Sequence, residues 1–353
     1  MKRRIKVHGG LRPLGLGMAL LLTVVGLAQP HGVMANPYLA KPGEAPVTLR
    51  VATCAVSGGF THLYAAMDYG LFDKYGIKVN YIFIRGSSIS LAALSSDEIQ
   101  FLYCAADATI PGMATGIDGK LVAAPLVGLP YVLLARKDIK RPEDLKGKSI
   151  GVTRPGDLSF RLVRTLLKKF NLTEEEVKIR SIGGSQSERY NAMLQDIIQA
   201  IIVTPPLDVR GKRDGFNQIF SLNDLNLPFI YSSIHTNSKT LKERPWLAQR
   251  FVAAMAESIY FVEKNPDKAK ASVGKALKLK DQEALQSAYD AYAKLIINRR
   301  VTVPASAVAE AVELARKTDT NVRRKAAEIL DNSFAEDLEK SGFLKEVWGG
   351  KIP

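Results

Sequence analysis

The residues of this chain best suited to chemistry are small and polar, of the kind that grip a molecule rather than react with it. Ser57-Gly58-Gly59-Phe60-Thr61 and Ala105-Ala106-Asp107 each follow an apolar run that reads as a β-strand. Backbone amides at a helix start favour anionic groups, and glycine lets a ligand approach the main chain. Each residue also has a plainer reading. Gly58-Gly59 is a ligand loop or only a turn, Phe60 is a stacking platform or a staple into the core, and His62 is a contact or an ordinary helix residue. Arg85 and Ser87 carry the same ambiguity.

Covalent and metal chemistry finds little material. The sequence holds four histidines, and beyond the N-terminal segment only His62 and His235 remain, too few for a multi-histidine metal site or a duplicated relay. No Gly-x-Ser-x-Gly elbow, His-Glu-x-x-His pair, Walker A loop or Gly-x-Gly-x-x-Gly turn occurs. The expectation is a binding protein, not an enzyme, with no metal and no cofactor.

The elements that must position these residues follow from hydrophobic period and turn chemistry. Val47 to Cys54 reads as a buried strand, and a glycine-rich break separates it from a helix near Thr61 to Tyr69. Val79 to Ile84 and Ile99 to Cys104 give two more strands, with Ser87 capping a helix through Leu94 between them. The pattern restarts after Pro142 with strand Ser149 to Thr153, turn Arg154-Pro155-Gly156 and a helix capped by Asp157. Strand Val177 to Ile182, Gly183-Gly184, a helix opened by Ser185 and Glu188 at capping-box spacing, and strand Ala200 to Thr204 follow. Strands alternating with helices predict the α/β class with a mostly parallel sheet, whose ligands sit beyond the carboxyl ends of strands. Leu129 to Ala135 and Leu227 to Ile234 bracket the second set and look like paired hinge crossings. Everything after Pro245 is helical in pattern.

The N-terminus reads as an export signal. Lys2, Arg3, Arg4, Lys6 and Arg12 precede an uncharged stretch from Leu14 to Ala28, which falls short of the roughly twenty residues needed to span a bilayer. Val33-Met34-Ala35 supplies a cleavage site after Ala35, so residues 1–35 are read as a signal peptide and the mature chain as soluble, periplasmic or extracytoplasmic. What remains of the 353 residues is enough for two separate cores. The formal charge of +14 is strongly basic. Its lysines are spread over helical faces, as at Lys268, Lys270, Lys275, Lys278 and Lys280, which points to a solvated surface rather than nucleic-acid binding.

Two stretches carry a family resemblance. Gly70-Leu71-Phe72-Asp73-Lys74-Tyr75-Gly76-Ile77-Lys78-Val79 and Asp144-Leu145-Lys146-Gly147-Lys148-Ser149-Ile150-Gly151-Val152 resemble the nitrate/sulfonate/taurine-type solute-binding proteins, the NMT1/THI5-like or SsuA-like group. The resemblance implies a type II periplasmic-binding-protein fold, two α/β lobes joined by two crossings, with residues 36–137 and 227–353 in lobe I and 138–226 in lobe II. It implies the extracytoplasmic subunit of an ABC-type importer, monomeric, closing on a sulfonate, carboxylate or pyrimidine-like molecule, with a permease and an ATPase as partners. A thiamine-pyrimidine enzyme of the same fold and a receptor-docking sensor are the alternatives, and the enzyme's cysteine-rich segment is missing here. Where the family has Gly-x-Val-Asp, this chain reads Ser96-Asp97-Glu98-Ile99-Gln100 and Gln195-Asp196-Ile197-Ile198-Gln199.

Under this resemblance the ligand-binding set extends to the second lobe. Arg154, Gly156, Asp157 and Ser159 face the cleft, Gly184, Ser185 and Thr204 occupy equivalent loops, and Tyr231 lies on the returning crossing. Arg154 is either a bidentate clamp on a carboxylate or sulfonate, or a solvated turn residue. The family fold also sets the strand ends at Cys54 and Cys104 side by side. A disulfide between them is sterically possible, and two buried reduced thiols are the alternative.

Overall fold

The computed structural model describes residues 36–183 and 185–352. The proposed signal peptide, its cleavage site and Gly184 lie outside the described residues.

Among the described residues, ten strands form two five-stranded sheets. They are β1 (Val47–Thr53), β2 (Ile77–Phe83), β3 (Phe101–Cys104), β4 (Lys120–Val127), β5 (Val132–Ala135), β6 (Ser149–Val152), β7 (Lys178–Ser181), β8 (Ala200–Val203), β9 (Asn217–Ser221) and β10 (Ile230–Thr236). The first sheet runs β2-β1-β3-β10-β4 and the second β7-β6-β8-β5-β9. In each, three parallel strands meet an antiparallel return: β10 against β3 and β4 in the first, β5 against β8 and β9 in the second. The sheets are therefore mixed, where sequence pattern suggested mostly parallel pairing, while the two-lobed α/β architecture is as expected.

Helices cover both sheets. The first lobe carries α1 (Thr61–Asp68), α2 (Ser87–Ser95) and α3 (Ala106–Thr115), and the second α4 (Leu158–Lys169), α5 (Gln186–Leu194) and α6 (Leu207–Arg213). After β10 come α7 (Ser238–Glu243), α8 (Pro245–Lys264), α9 (Pro266–Leu277), α10 (Gln282–Asp290), α11 (Ala305–Thr318) and short helices ending at Val347. Pro245 starts α8 at its first turn, where no intrahelical N–H is required, and the helix buries Leu247, Phe251, Met255 and Ile259. Phe251 stacks on Phe72 and Phe101, tying α8 to the first sheet. No helix among the described residues is long and apolar enough to cross a membrane.

The chain passes between sheets at residues 128–131 and 226–229, shorter spans than the apolar segments suggested, because Val132–Ala135 is itself a buried strand of the second sheet. The two crossings touch. Gly128 N donates to Phe229 O at 2.7 Å.

The family's missing glycines have a local explanation. Asp97 and Asp196 stand at φ 62° and φ 60°, the left-handed region that aspartate tolerates better than most residues. Beyond them Gln100 and Gln199 perform the same task in the two lobes. Gln100 Oε1 accepts from Arg50 N and Gln199 Oε1 from Ser149 N, and each amide donates back to the aspartate carbonyl. These substitutions stitch strand ends and lie away from the inter-sheet cleft.

Cys54 and Cys104 are joined in a disulfide, with α-carbons 5.4 Å apart. The parallel register explains it: Val51 faces Phe101 and Thr53 faces Tyr103, so the next pair is the two cysteines.

Both remaining histidines are buried. His235 Nε2 lies 2.8 Å from Thr109 Oγ1 and its Nδ1 3.2 Å from Leu102 O. His62, which the sequence left open as a contact, sits in the α1 core with neither ring nitrogen partnered among the described residues. Burial depresses the His62 imidazole to about 3 and the His235 imidazole to about 4. Both depressed values penalise protonation of the native state, while the unfolded chain takes up protons near pH 6.5. The stability these neutral rings contribute is complete above that value and is lost as pH falls through it. Lowering pH from 6.5 to 5.5 should cost about 1 kcal/mol per histidine, read as a fall in the urea midpoint that His235→Gln halves.

Candidate functional site

The carboxyl ends of β1, β3, β6 and β8 point into the space between the sheets, where two adjoining chambers meet at Gln186. One, of about 450 Å³, is lined by Asp107, Tyr131, Thr153, Arg154, Asp157, Ser159, Gln186 and Arg189. The other, of about 520 Å³, is lined by Ser57, Gly58, Gln186, Thr204, Arg210, Arg213, Asp281 and Tyr292. Both lobes contribute to each.

In the first chamber, Thr153 N donates to Ser159 Oγ at 2.9 Å, and Ser159 Oγ donates to Thr153 Oγ1 at 3.2 Å. Arg189 Nη1 donates to the same Thr153 oxygen at 2.8 Å. Arg189 is only 5% exposed, so its planar guanidinium is held in place by its surroundings. Three guanidiniums, of Arg154, Arg161 and Arg189, line this chamber against the carboxylates of Asp107 and Asp157. Arg154 Nε is engaged with Asp157 Oδ1 at 3.1 Å, so Arg154 acts first as a turn tether. Asp107 is enclosed by protein on most sides. That burial raises its carboxyl above the usual range, against the pull of Arg161.

Tyr292 lines the second chamber, with Tyr231 packed behind its glycine loop. A Cβ on Gly58 would stand 2.7 Å from Tyr292 Cε2, and one on Gly59 would stand 2.6 Å from Tyr231 Cε1. The two glycines thus admit aromatic rings against the loop. Tyr292 Oη donates to Pro205 O at 3.0 Å, linking the lobes, and lies 3.2 Å from Tyr231 Oη. Tyr131 continues the row, its ring 6.2 Å from that of Tyr231. Burial raises all three hydroxyls well clear of titration near neutral pH. They act as neutral donors.

The expected site residues divide. Ser57, Gly58, Asp107, Arg154, Asp157, Ser159 and Thr204 line the cleft; Tyr231 and Gly59 pack behind it; Gly156 lines an outer groove. Phe60 is buried against Tyr103 with centroids 4.9 Å apart, so it is the core staple and no stacking platform. Thr61 is buried and donates to Gly58 O at 2.6 Å, closing its own turn. Ala105 serves as the residue before α3. Ser185 is exposed and caps α5 with Glu188, leaving Gln186, one residue later, to line the cleft and accept from Thr204 N at 2.8 Å. Tyr131, Thr153, Gln186, Arg189 and Tyr292 were not anticipated. A charged residue such as Arg189 on an amphipathic helix reads as solvated, and Tyr292 comes from a distant π-turn, Ala291–Leu295.

Among the described residues, no group of three or more His, Cys, Asp or Glu side chains is arranged to hold a metal.

Residues 57–269 match the family model described as NMT1/THI5 like. The riboflavin-binding protein RibY of Chloroflexus aurantiacus is 24% identical over 72% of this chain and 75% of its own length. The periplasmic aliphatic sulphonate binding protein SsuA from Escherichia coli aligns with a TM-score of 0.63 at 17% identity, covering 80% of this chain and 91% of that one. The alkanesulfonate-binding protein SsuA from Xanthomonas axonopodis pv. citri, bound to MOPS, aligns with a TM-score of 0.60 at 14% identity, covering 82% and 99%.

Proposed function

This chain belongs to the NMT1/THI5-like family, and from that premise we propose that it is the solute-capturing subunit of an ABC-type importer. It holds a small organic molecule between its sheets and presents the closed form to a permease driven by an ATPase. One observation carries the reading. Polar strand-end residues of both sheets converge on one cleft, behind two crossings bonded to each other. The curated relative RibY and the SsuA structures are binding proteins by name, which supports the reading.

Residues 132–225, between the two crossings, move as one lobe against the rest of the chain, and export places the protein outside the cytoplasm. The ligand enters from solvent, its anionic or acceptor groups meet Arg189, Thr153, Ser159 and Gln186, and closure excludes water. A thermal-shift screen of carboxylates, sulfonates, aromatic acids, flavins and pyrimidines on ligand-stripped protein tests the reading. A true ligand at a hundred times its Kd should stabilise by about 2.7 kcal/mol. A folded protein that answers to none of these classes would refute it.

Closure has a visible clasp. Arg213 of α6 pairs with Asp281 and Glu283 at the start of α10, with Nη2 2.7 Å from Glu283 Oε2 and 2.9 Å from Asp281 Oδ1. Ser287 Oγ donates to Asp208 Oδ2 at 2.7 Å beside it. These exposed ion pairs are individually weak and sensitive to salt. Arg213→Ala should weaken ligand affinity by roughly two- to fivefold without touching the ligand, and should enlarge the empty protein in small-angle scattering.

A further inference from the structure

Beside the polar chamber runs a groove of about 340 Å³ of different character. Its walls are Ile110 of α3, Ala311 and Leu314 of α11 and Leu162 of α4, and its floor is Leu129 and Phe229 of the two crossings. First-lobe and second-lobe helices therefore face each other across it. Asp107, Leu158 and Arg161 line both the groove and the polar chamber, so the two spaces adjoin through these three side chains. A hydrogen-bonding compartment with a buried guanidinium thus opens onto a largely apolar one, which the exposed Glu310, Glu313 and Lys317 also line.

We infer that the ligand is an amphipathic carboxylate, its head on Arg189, Thr153 and Ser159 and its hydrocarbon tail in the groove between α3, α4 and α11. The inference rests on the solute-capture reading and adds the ligand's chemical class. The head follows from the excess of guanidinium over carboxylate in the chamber and from the planar fork of Arg189, which matches a planar carboxylate. The tail follows from continuity. A ligand anchored on Arg189 and longer than the chamber leaves it either past Gln186, into a chamber lined by Arg210, Arg213 and Asp281, or past Asp107, Leu158 and Arg161, where aliphatic side chains replace polar ones and a hydrocarbon tail fits.

The test is calorimetric titration of the full, ligand-stripped chain with butanoate, hexanoate, octanoate and decanoate, alongside the sulfonates of equal tail length. Affinity should rise about fourfold per added methylene, the equivalent of about 0.8 kcal/mol each, until the groove is full, and then level off. Ala311→Trp, which puts an indole into the groove, should remove most of that gain, and Ala311→Val should remove less of it should the larger side chain unfold the protein. Lys178→Ala, on the far strand β7, should leave the series unchanged. Firm butanoate binding with no dependence on length overturns the tail and leaves solute capture standing. Sulfonates that bind more tightly than carboxylates at every length overturn the head. If no carboxylate binds but another class in the wider screen does, the inference falls alone; if nothing binds, solute capture falls with it. A dimer seen by light scattering, with the groove protected in the absence of ligand, would assign the groove to a second copy and overturn the tail.

Discussion

Replacing Cys54 and Cys104 together by alanine should lower the stability of the protein by about 4 kcal/mol, the chain-entropy value for a closed loop of this size; the linked residues are 50 apart in sequence. Disulfides persist outside the cytoplasm, so the bond suits an exported chain. The effect should extend to binding. Cys54 leads directly into the loop of Ser57 and Gly58, and Cys104 into Asp107, so the crosslink fixes two first-lobe ligand segments against each other. Denaturant titration of oxidised protein, reduced protein and the double alanine variant checks the claim. The oxidised form should stand well above the other two, and those two should agree. Alkylation of unreduced, denatured protein should add no alkyl group. An unchanged midpoint in the double variant, or two alkyl groups on unreduced protein, would count decisively against a stabilising bridge.

Arg189→Gln should weaken ligand binding by roughly ten- to hundredfold, the range for losing a hydrogen bond to a charged group of about 1.5–3 kcal/mol. The guanidinium is buried, donates to Thr153 and lines the chamber where the two lobes meet. Arg189→Lys keeps the charge without the fork and should fall between the two. Because Arg189 also positions Thr153, the melting temperature of each empty variant must be compared first. A folded Arg189→Gln protein that binds as tightly as wild type removes the guanidinium from the site.

The fold was largely legible because its signals are local. Buried apolar runs ending in glycine or polar residues marked β1, β3, β6 and β8, and the Ser185–Glu188 spacing marked the start of α5. The segments of β5 and β10 read as hinge crossings, and two further strands gave no signal. β4 carries Pro125 in its interior, a residue tolerated because β4 lies at the sheet edge, and β9 is a short, half-buried edge strand. The site was legible only in outline. Strand-end position suggested Ser57, Asp107 and Thr204, but which way a neighbouring side chain turns depends on tertiary packing, and so Phe60 and Thr61 went inward. Arg189 and Tyr292 reach the cleft from residues remote in sequence, and no local pattern distinguishes them from surface and core. Asp97 and Asp196 show the converse: a departure from the family's residues with a local reason, a left-handed turn whose aspartate side chain accepts from the following glutamine.

The hydrogen bond between Gly128 and Phe229 has a mechanical consequence. Two independent joints would let the lobes bend, shear and swing along several directions, each with its own rate. Two crossings bonded side by side behave as one short ribbon, whose soft deformation is torsion about its own length. Opening is then a single rotational coordinate. Residues on the ribbon's axis barely move, while the ion pairs between α6 and α10 join parts of the chain that turn against each other. The clasp's weak, salt-screened ion pairs therefore add a torque of their own to that against which a bound molecule escapes.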